Sequence, residues 1–169
     1  MPYTPGGNMR NGILCALILA AFASGLSNDI TSAAPLDDGM AAYARQDYAT
    51  ALKLLRPLAS GGNADAQATI GTMYDAGQGV VQDFDAAIRW WQLAAAQGHA
   101  QAQVNLGLIY GVRQDFVRAY MWLSVAAAQH YPNANIFRQT FADRMNKQQL
   151  AAAKTETQQC EASRYKQCD

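Results

Sequence analysis

Apolar residues recur at helical spacing along most of the chain after residue 35, and short polar or glycine-containing stretches separate the apolar groups. The clearest helix is predicted to start near Ala64. Its residues Ala66, Ile70 and Met73 lie at i, i+4 and i+7, so they share one helix face. A second apolar group at the same spacing extends from Phe84 to about Ala96. The pattern predicts two antiparallel helices joined by a turn.

Local signals mark the ends of these two helices. The segment 77–79, Gly-Gln-Gly, is predicted to end the first helix. Asp83 stands just before the second helix, where its carboxylate can accept the unpaired backbone N–H groups and interact with the positive helix end. Gly98 lies just past the second helix, in the position of a left-handed C′ residue. We therefore expect N-capping, and not catalysis, from Asp83 and from its counterparts Asp47 and Asp115.

The helix pair belongs to an internal repeat. Segment 64–67 returns as segment 100–103 at a step of 36 residues, a period typical of stacked helix pairs. A more divergent copy precedes these two, and the last copy lacks four residues in its turn. The predicted units are a signal peptide at 1–34, a degenerate first helix pair at 35–63, a repeat at 64–99, a repeat with a shortened turn at 100–131, and C-terminal capping helices with a tail at 132–169.

The predicted fold is all-α: an α/α superhelix of two to three helix pairs, closed by a C-terminal helical cap. One pair cannot bury its apolar face alone, so neighbouring copies stack and share a core. Gly71 and Gly107 fall within first helices, where glycine costs about 1 kcal/mol relative to alanine. We expect close helix approach to offset this cost, with Trp90 and Trp122 packing over the two glycines.

The segment from Ala64 to Gly98 closely resembles the Sel1-like repeat, a relative of the tetratricopeptide repeat, and segment 100–131 is similar to the same motif. The structural motif positions are Gly71, Tyr74, Gly79, Asp83, Ala87, Trp90, Gly107, Tyr110, Asp115, Ala119 and Trp122.

The resemblance implies a scaffold for protein contacts whose first helices line a concave surface. The candidate contacts are the non-core positions of those helices: Asp65, Thr69, Met73, Gln101, Asn105 and Ile109. The Asn105 amide can donate to and accept from a peptide backbone, although a structural bond to the adjacent helix is an equal alternative. Exported cysteine-rich relatives suggest a cell-wall or β-lactam-acting enzyme instead, but no repeat here contains cysteine. A permanent structural subunit of an envelope complex is a further alternative.

The N-terminal segment resembles a secretory signal peptide. Arg10 precedes a largely apolar stretch that runs to Leu26, and a polar stretch then ends in small residues. Cleavage is predicted near Ala33 or Ala34. The apolar stretch is shorter than the roughly 20 residues of a membrane-spanning helix, so we expect a periplasmic or secreted bacterial protein with no permanent membrane span.

Loss of the leader removes Cys15 and leaves Cys160 and Cys168. An even cysteine count in an exported chain favours a disulfide, with two free thiols as the alternative. One continuous helix would hold the two Cα atoms about 12 Å apart, too far for a bond. A disulfide therefore predicts that the last helix ends around Ser163 and that the tail folds back.

The chain has 13 basic and 13 acidic residues and no basic run. This balance argues against nucleic-acid binding, which requires a cationic face. Two histidines, His99 and His130, fall at repeat turns without nearby ligands at metal-binding spacing. We predict no cofactor, no metal and no catalytic residue; the expected partner is a protein or peptide.

Overall fold

The computed structural model describes residues 33–168. The predicted leader lies outside these residues, except that Ala33 and Ala34 begin the first helix. Residues 33–168 form eight α-helices and no β-strand. None of these helices combines the length and apolar character needed to cross a membrane. The helices are α1 (Ala33–Ala44), α2 (Tyr48–Ser60), α3 (Ala64–Ala76), α4 (Phe84–Ala95), α5 (Ala100–Val112), α6 (Phe116–Ala128), α7 (Ala134–Ala142) and α8 (Lys147–Ala162).

Consecutive helices pack against one another in chain order. The pairs are α1 with α2, α3 with α4, and α5 with α6, and each second helix also packs on the first helix of the next pair. Both α7 and α8 pack against α6 and close this end of the stack. The predicted all-α helical solenoid is confirmed.

Three aspartates cap the second helices of the pairs. Asp47, Asp83 and Asp115 each accept a hydrogen bond from the backbone N–H three residues later, at 3.2, 2.8 and 3.1 Å. Each carboxylate therefore satisfies a helix N–H group that has no partner within its own helix. The aspartates act as N-caps, as their position before each second helix predicts.

The turns within the pairs are of two kinds. Segments 45–47 and 113–115 have the same sequence, Arg-Gln-Asp, and Gln46 and Gln114 share a left-handed φ of 63°. The middle pair instead uses the longer connection 77–83. The sequence pattern indicated the shortened turn only in the third copy. The repeated tripeptide is the signal that would have placed the same turn in the first copy.

Glycine allows close helix packing inside two of the pairs. A Cβ atom on Gly71 would lie 2.5 Å from Cδ1 of Trp91, and one on Gly107 would lie 2.5 Å from Cγ of Leu123. Neither distance leaves room for a side chain. The Trp91 indole N–H donates to the carbonyl of Ala68 at 3.2 Å, which fixes the ring over the glycine.

The prediction that Trp90 and Trp122 cover these glycines is wrong. Consecutive residues are rotated by about 100° around a helix, so the neighbouring residue points at the glycine instead. Trp90 is partly buried against the cluster that contains Ile70 and Met73. Trp122 is buried in the central core, in the same cluster as Trp91. The tryptophans therefore fill the spaces between pairs as well as within them.

The chain turns back after α8. Arg164 and Tyr165 adopt left-handed φ values of 53° and 68°, and the structure joins Cys160 to Cys168 with their Cα atoms 4.6 Å apart. Both cysteines are buried in the central core cluster. The helix end at Ala162 agrees with the geometry that a disulfide between these residues requires.

Candidate functional site

The first helices of the three pairs, α1, α3 and α5, together line a groove. One cavity of about 350 Å³ lies between α1, α3 and the start of α5, and an adjoining cavity of about 260 Å³ lies mainly between α3 and α5. Thr72 lines both cavities. We call this surface the first-helix groove; it comprises Leu36, Asp37, Met40, Tyr43, Asp65, Ala68, Thr69, Thr72, Asp75, Trp91, His99, Gln101, Asn105, Leu108, Ile109 and Val112.

The structure places five of the six candidate contacts in this groove. Asp65 and Gln101 are exposed, while Asn105 and Ile109 are half-buried. Thr69 is only 8% exposed; its hydroxyl donates to the Asp65 carbonyl at 2.8 Å, so it contributes mainly to the floor.

Met73 is not a surface contact, and this candidate was wrong. Its side chain is 0% exposed and packs with Leu55 and Ile70 in the core of the first two pairs. The physical reason is its position three residues after Ile70, which places both side chains on the same buried face of α3.

Asn105 is hydrogen-bonded within its own helix. Its Oδ1 accepts from Nε2 of Gln101 at 2.9 Å, and the Tyr131 hydroxyl donates to Oε1 of Gln101. Tyr131 thus fixes the orientation of Gln101, which in turn fixes Asn105. The Asn105 side-chain NH2 group makes no hydrogen bond within residues 33–168 and lies where it can donate to a ligand in the second cavity.

His99 has a more specific role than a polar turn residue. Its Nδ1 accepts from the backbone N–H of Ala102 at 3.2 Å and so caps α5. Its Nε2 lies 3.2 Å from Oδ1 of Asp65, which links the start of α5 to α3. His130 occupies a turn with a φ of 58°. Across residues 33–168 there is no group of three or more potential metal ligands among His, Cys, Asp and Glu.

Asp75 is an unpaired carboxylate at the edge of the groove. Its burial raises its pKa above the ordinary value of 3.8, and no ion pair involves it in the described part of the chain. It also lies in the last turn of α3, where the helix dipole disfavours negative charge. The charged form therefore opposes folding.

We expect Asp75→Asn to raise the thermal midpoint at pH 7. A raised folded pKa means that the penalty is absent below about pH 3, where the carboxyl is protonated in both states, and is complete at neutral pH. The difference between variant and wild type should therefore disappear on acidification. Thermal unfolding at pH 7 and at about pH 3 measures this difference in midpoint. A variant that is less stable than the wild type at pH 7 would mean that the carboxylate has a stabilising partner.

Buried glutamines connect the repeats, a feature that the sequence analysis missed. Gln67 donates to the Ala59 carbonyl at 3.0 Å and accepts from Gln97 at 2.8 Å. One repeat later, Gln103 donates to the Ala95 carbonyl and accepts from Gln129, at 3.3 and 2.7 Å. The sequence did contain a signal for this network. Gln67 and Gln97 of one copy occupy the same repeat positions as Gln103 and Gln129 of the next.

We expect Gln103→Leu to cost about 2 kcal/mol of folding free energy. Leucine has a similar volume, but it removes both hydrogen bonds of a side chain that is 0% exposed and leaves polar groups without partners. Chemical denaturation measures the change. Gln148→Leu, at an exposed site on α8, is the matched control and should change stability by less than about 0.5 kcal/mol; equal effects would refute the role of burial.

The stacked pairs, their capped second helices and the groove across their first helices define an α/α-solenoid repeat protein. The profile of the Sel1 repeat family matches residues 38–63, 64–99 and 100–131, more than half of the chain. The chain belongs to the Sel1 repeat family.

A solved structure supports the same assignment. It is a protective antigen present in uropathogenic Escherichia coli strains and displays an SLR fold. The two chains are 26% identical and superpose with a TM-score of 0.73, over 79% of this chain and 31% of that one. This chain therefore spans less than a third of the antigen's length. No curated protein matches the chain. Proteins of the Sel1 repeat family generally mediate protein–protein interactions and are typically non-enzymatic scaffolds.

Proposed function

We propose that this protein is a non-enzymatic interaction scaffold of the bacterial cell envelope and that it binds a protein or peptide segment in the first-helix groove. The observation that supports this most is the continuity of the groove across all three pairs. A single ligand segment can touch α1, α3 and α5 at once.

The groove offers the chemistry that a polypeptide ligand requires. Gln101 and Asn105 supply amide groups that can donate to and accept from a peptide backbone. The half-buried side chains of Tyr43, Leu108 and Ile109 supply apolar surface beside them. Burial of such surface together with paired polar groups is typical of peptide-binding sites.

The envelope location rests on two features. The predicted leader at 1–34 would direct export, and a disulfide between Cys160 and Cys168 suits an oxidising compartment. Osmotic shock releases periplasmic proteins, and the molecular mass of the released chain, measured by mass spectrometry, tests this part of the proposal. We expect a chain that starts at Ala34 or Pro35; recovery of only unprocessed chain in the cytoplasm would contradict it.

Photo-crosslinking tests the groove. A photoreactive amino acid replaces Thr72, which lines both cavities, or Lys53 on the outer surface of α2 as a control. In living cells we expect discrete protein adducts from position 72 and none from position 53. The double substitution Gln101→Ala and Asn105→Ala should reduce the position-72 adduct.

Two results would overturn the groove proposal. One is a set of adducts that forms from position 53 alone. The other is an adduct at position 72 that keeps its full yield in the Gln101→Ala and Asn105→Ala background. Size-exclusion chromatography of the native complex then distinguishes transient from permanent association, because a permanent subunit elutes only with its partner.

A further inference from the structure

The row of first helices is acidic, although the whole chain is neutral. The first helices α1, α3 and α5 contain four aspartates and no lysine or arginine: Asp37, Asp38, Asp65 and Asp75. The second helices α2, α4 and α6 contain four basic residues and one acidic residue: Lys53, Arg56, Arg89, Arg118 and Asp85. The second helices are also capped by Asp47, Asp83 and Asp115, so their row is balanced. The zero net charge thus conceals one acidic face, that of the first helices.

The acidic row includes the first-helix groove. Asp37, Asp65 and Asp75 line its two cavities, and no lysine or arginine lines either one. His99 is the one basic side chain among the lining residues of these cavities, and it is already within 3.2 Å of Asp65. Within residues 33–168, Asp37 and Asp75 make no ion pair, whereas Asp65 pairs only with His99.

Apolar side chains flank the carboxylates at both ends of the groove. Leu36 and Met40 on α1 line the first cavity, and Ile109 and Val112 on α5 line the second. Met40 is 37% exposed and Val112 is 78% exposed. A ligand that covers only the carboxylates would leave these apolar side chains in water, so the arrangement favours a ligand with both cationic and apolar groups.

We propose that the groove selects an extended polypeptide segment in which lysine or arginine side chains alternate with apolar ones. This deepens the proposed function, on which it rests, by naming the chemistry of the partner.

The state of Asp75 supports this choice. Partial burial raises the pKa of Asp75, and a bound ammonium or guanidinium would stabilise its charged form with a charge-assisted hydrogen bond. An acidic segment would meet the opposite situation, because its carboxylates would face Asp65 and Asp75 without a counter-charge.

Binding of synthetic peptides to the full chain tests the proposal. The probe is a short peptide with acetylated and amidated ends that carries lysines and leucines in a serine background; companion peptides replace the lysines by glutamine or by glutamate. In calorimetry, the lysine peptide should bind most tightly, the glutamine peptide less tightly and the glutamate peptide least. Raising the salt from about 0.05 to about 0.3 M should weaken the lysine peptide most, because salt screens exposed charges.

Matched variants locate the binding site. We expect Asp65→Asn and Asp75→Asn each to weaken the lysine peptide about threefold, and together about tenfold, without affecting the glutamine peptide. Asp143→Asn removes the same charge from an exposed site beyond α7 and should have no effect. Leucine-to-serine replacement in the peptide should also weaken binding.

The outcomes separate this proposal from the function on which it rests. Tighter binding of the glutamine or glutamate peptide, with loss in the Gln101→Ala and Asn105→Ala variant, overturns the cationic preference but retains the groove as a peptide site. Absence of binding by every peptide overturns the inference, while photo-crosslinking from position 72 judges the function independently. Self-association in sedimentation that Asp65→Asn abolishes would overturn it as well, because it would make a second copy of this chain the occupant of the acidic groove.

Discussion

Replacement of Gly107 by leucine is expected to destabilise the fold by about 3 kcal/mol or more, enough to abolish a measurable folding transition in a marginal domain. Even the Cβ atom would lie 2.5 Å from Cγ of Leu123 and 3.2 Å from the carbonyl oxygen of Ala119. The contact with Ala119 involves backbone, which moves only if α5 and α6 separate. The gain of about 1 kcal/mol from removing a helical glycine does not offset this.

A double-mutant cycle separates steric overlap from other effects. Gly107→Ala alone should destabilise the protein, and Leu123→Ala alone should cost about 2 to 5 kcal/mol through the cavity that it creates. Because the smaller side chain at 123 makes room for the new Cβ, the double variant should be more stable than the sum of the single effects predicts. Strict additivity, or an unchanged thermal midpoint in Gly107→Leu, would refute the close-approach explanation.

The parts of the fold that the sequence predicted depend on local chemistry. Asp83 caps α4 because a carboxylate in that position reaches N–H groups only three residues away. Gly77 ends α3 in a left-handed conformation, with a φ of 67°, that glycine adopts without steric cost. Such signals lie within a few residues of the feature that they determine, so they can be interpreted without knowledge of the tertiary structure.

The errors arose where a helix contacts more than one neighbour. Helix α4 borders two core clusters: Trp90 packs against the cluster with Ile70, and Trp91 lies in the cluster with Leu106. Both tryptophans are covered, so apolar spacing alone cannot assign either one to Gly71. Gln67 stood out only as part of the repeated segment 64–67, and glutamine is usually exposed. Its burial depends on the Ala59 carbonyl of the preceding helix, a partner that is defined only when the pairs stack.

The location of the groove was predictable from the sequence, but its charge was not. Helical spacing and the family resemblance selected the first helices, and five of six candidate side chains line the groove. The acidic character of the first helices was not predicted because acidic and basic residues were counted over the whole chain. Asp37 on α1 joins Asp65 and Asp75 on one surface only after the pairs are stacked.

Reduction of the disulfide between Cys160 and Cys168 is expected to cost about 2 to 3 kcal/mol, which corresponds to a fall in thermal midpoint of roughly 8 °C. The bond closes a loop with a sequence separation of 8, so the loss is mainly the gain in freedom of the unfolded tail. The tail also contacts the repeats: Tyr165 carbon atoms lie within 4 Å of the position that a Cβ on Gly98 would occupy. Hydrogen exchange should therefore increase after reduction in residues 163–168 and in the turn between α4 and α5.

The measurement requires a chain in which only this pair can be oxidised, so Cys15→Ser is the reference protein. Reductant should lower the thermal midpoint of this reference protein. The variant that also carries Cys160→Ala and Cys168→Ala should have a midpoint near that of the reduced reference protein, and reductant should not change it. Cys160 is fully buried and Cys168 nearly so, so the packing of these side chains also helps to hold the tail, independently of the disulfide. Equal midpoints for the oxidised and reduced reference protein would mean that packing, and not the covalent bond, fixes α8 and the tail against the repeats.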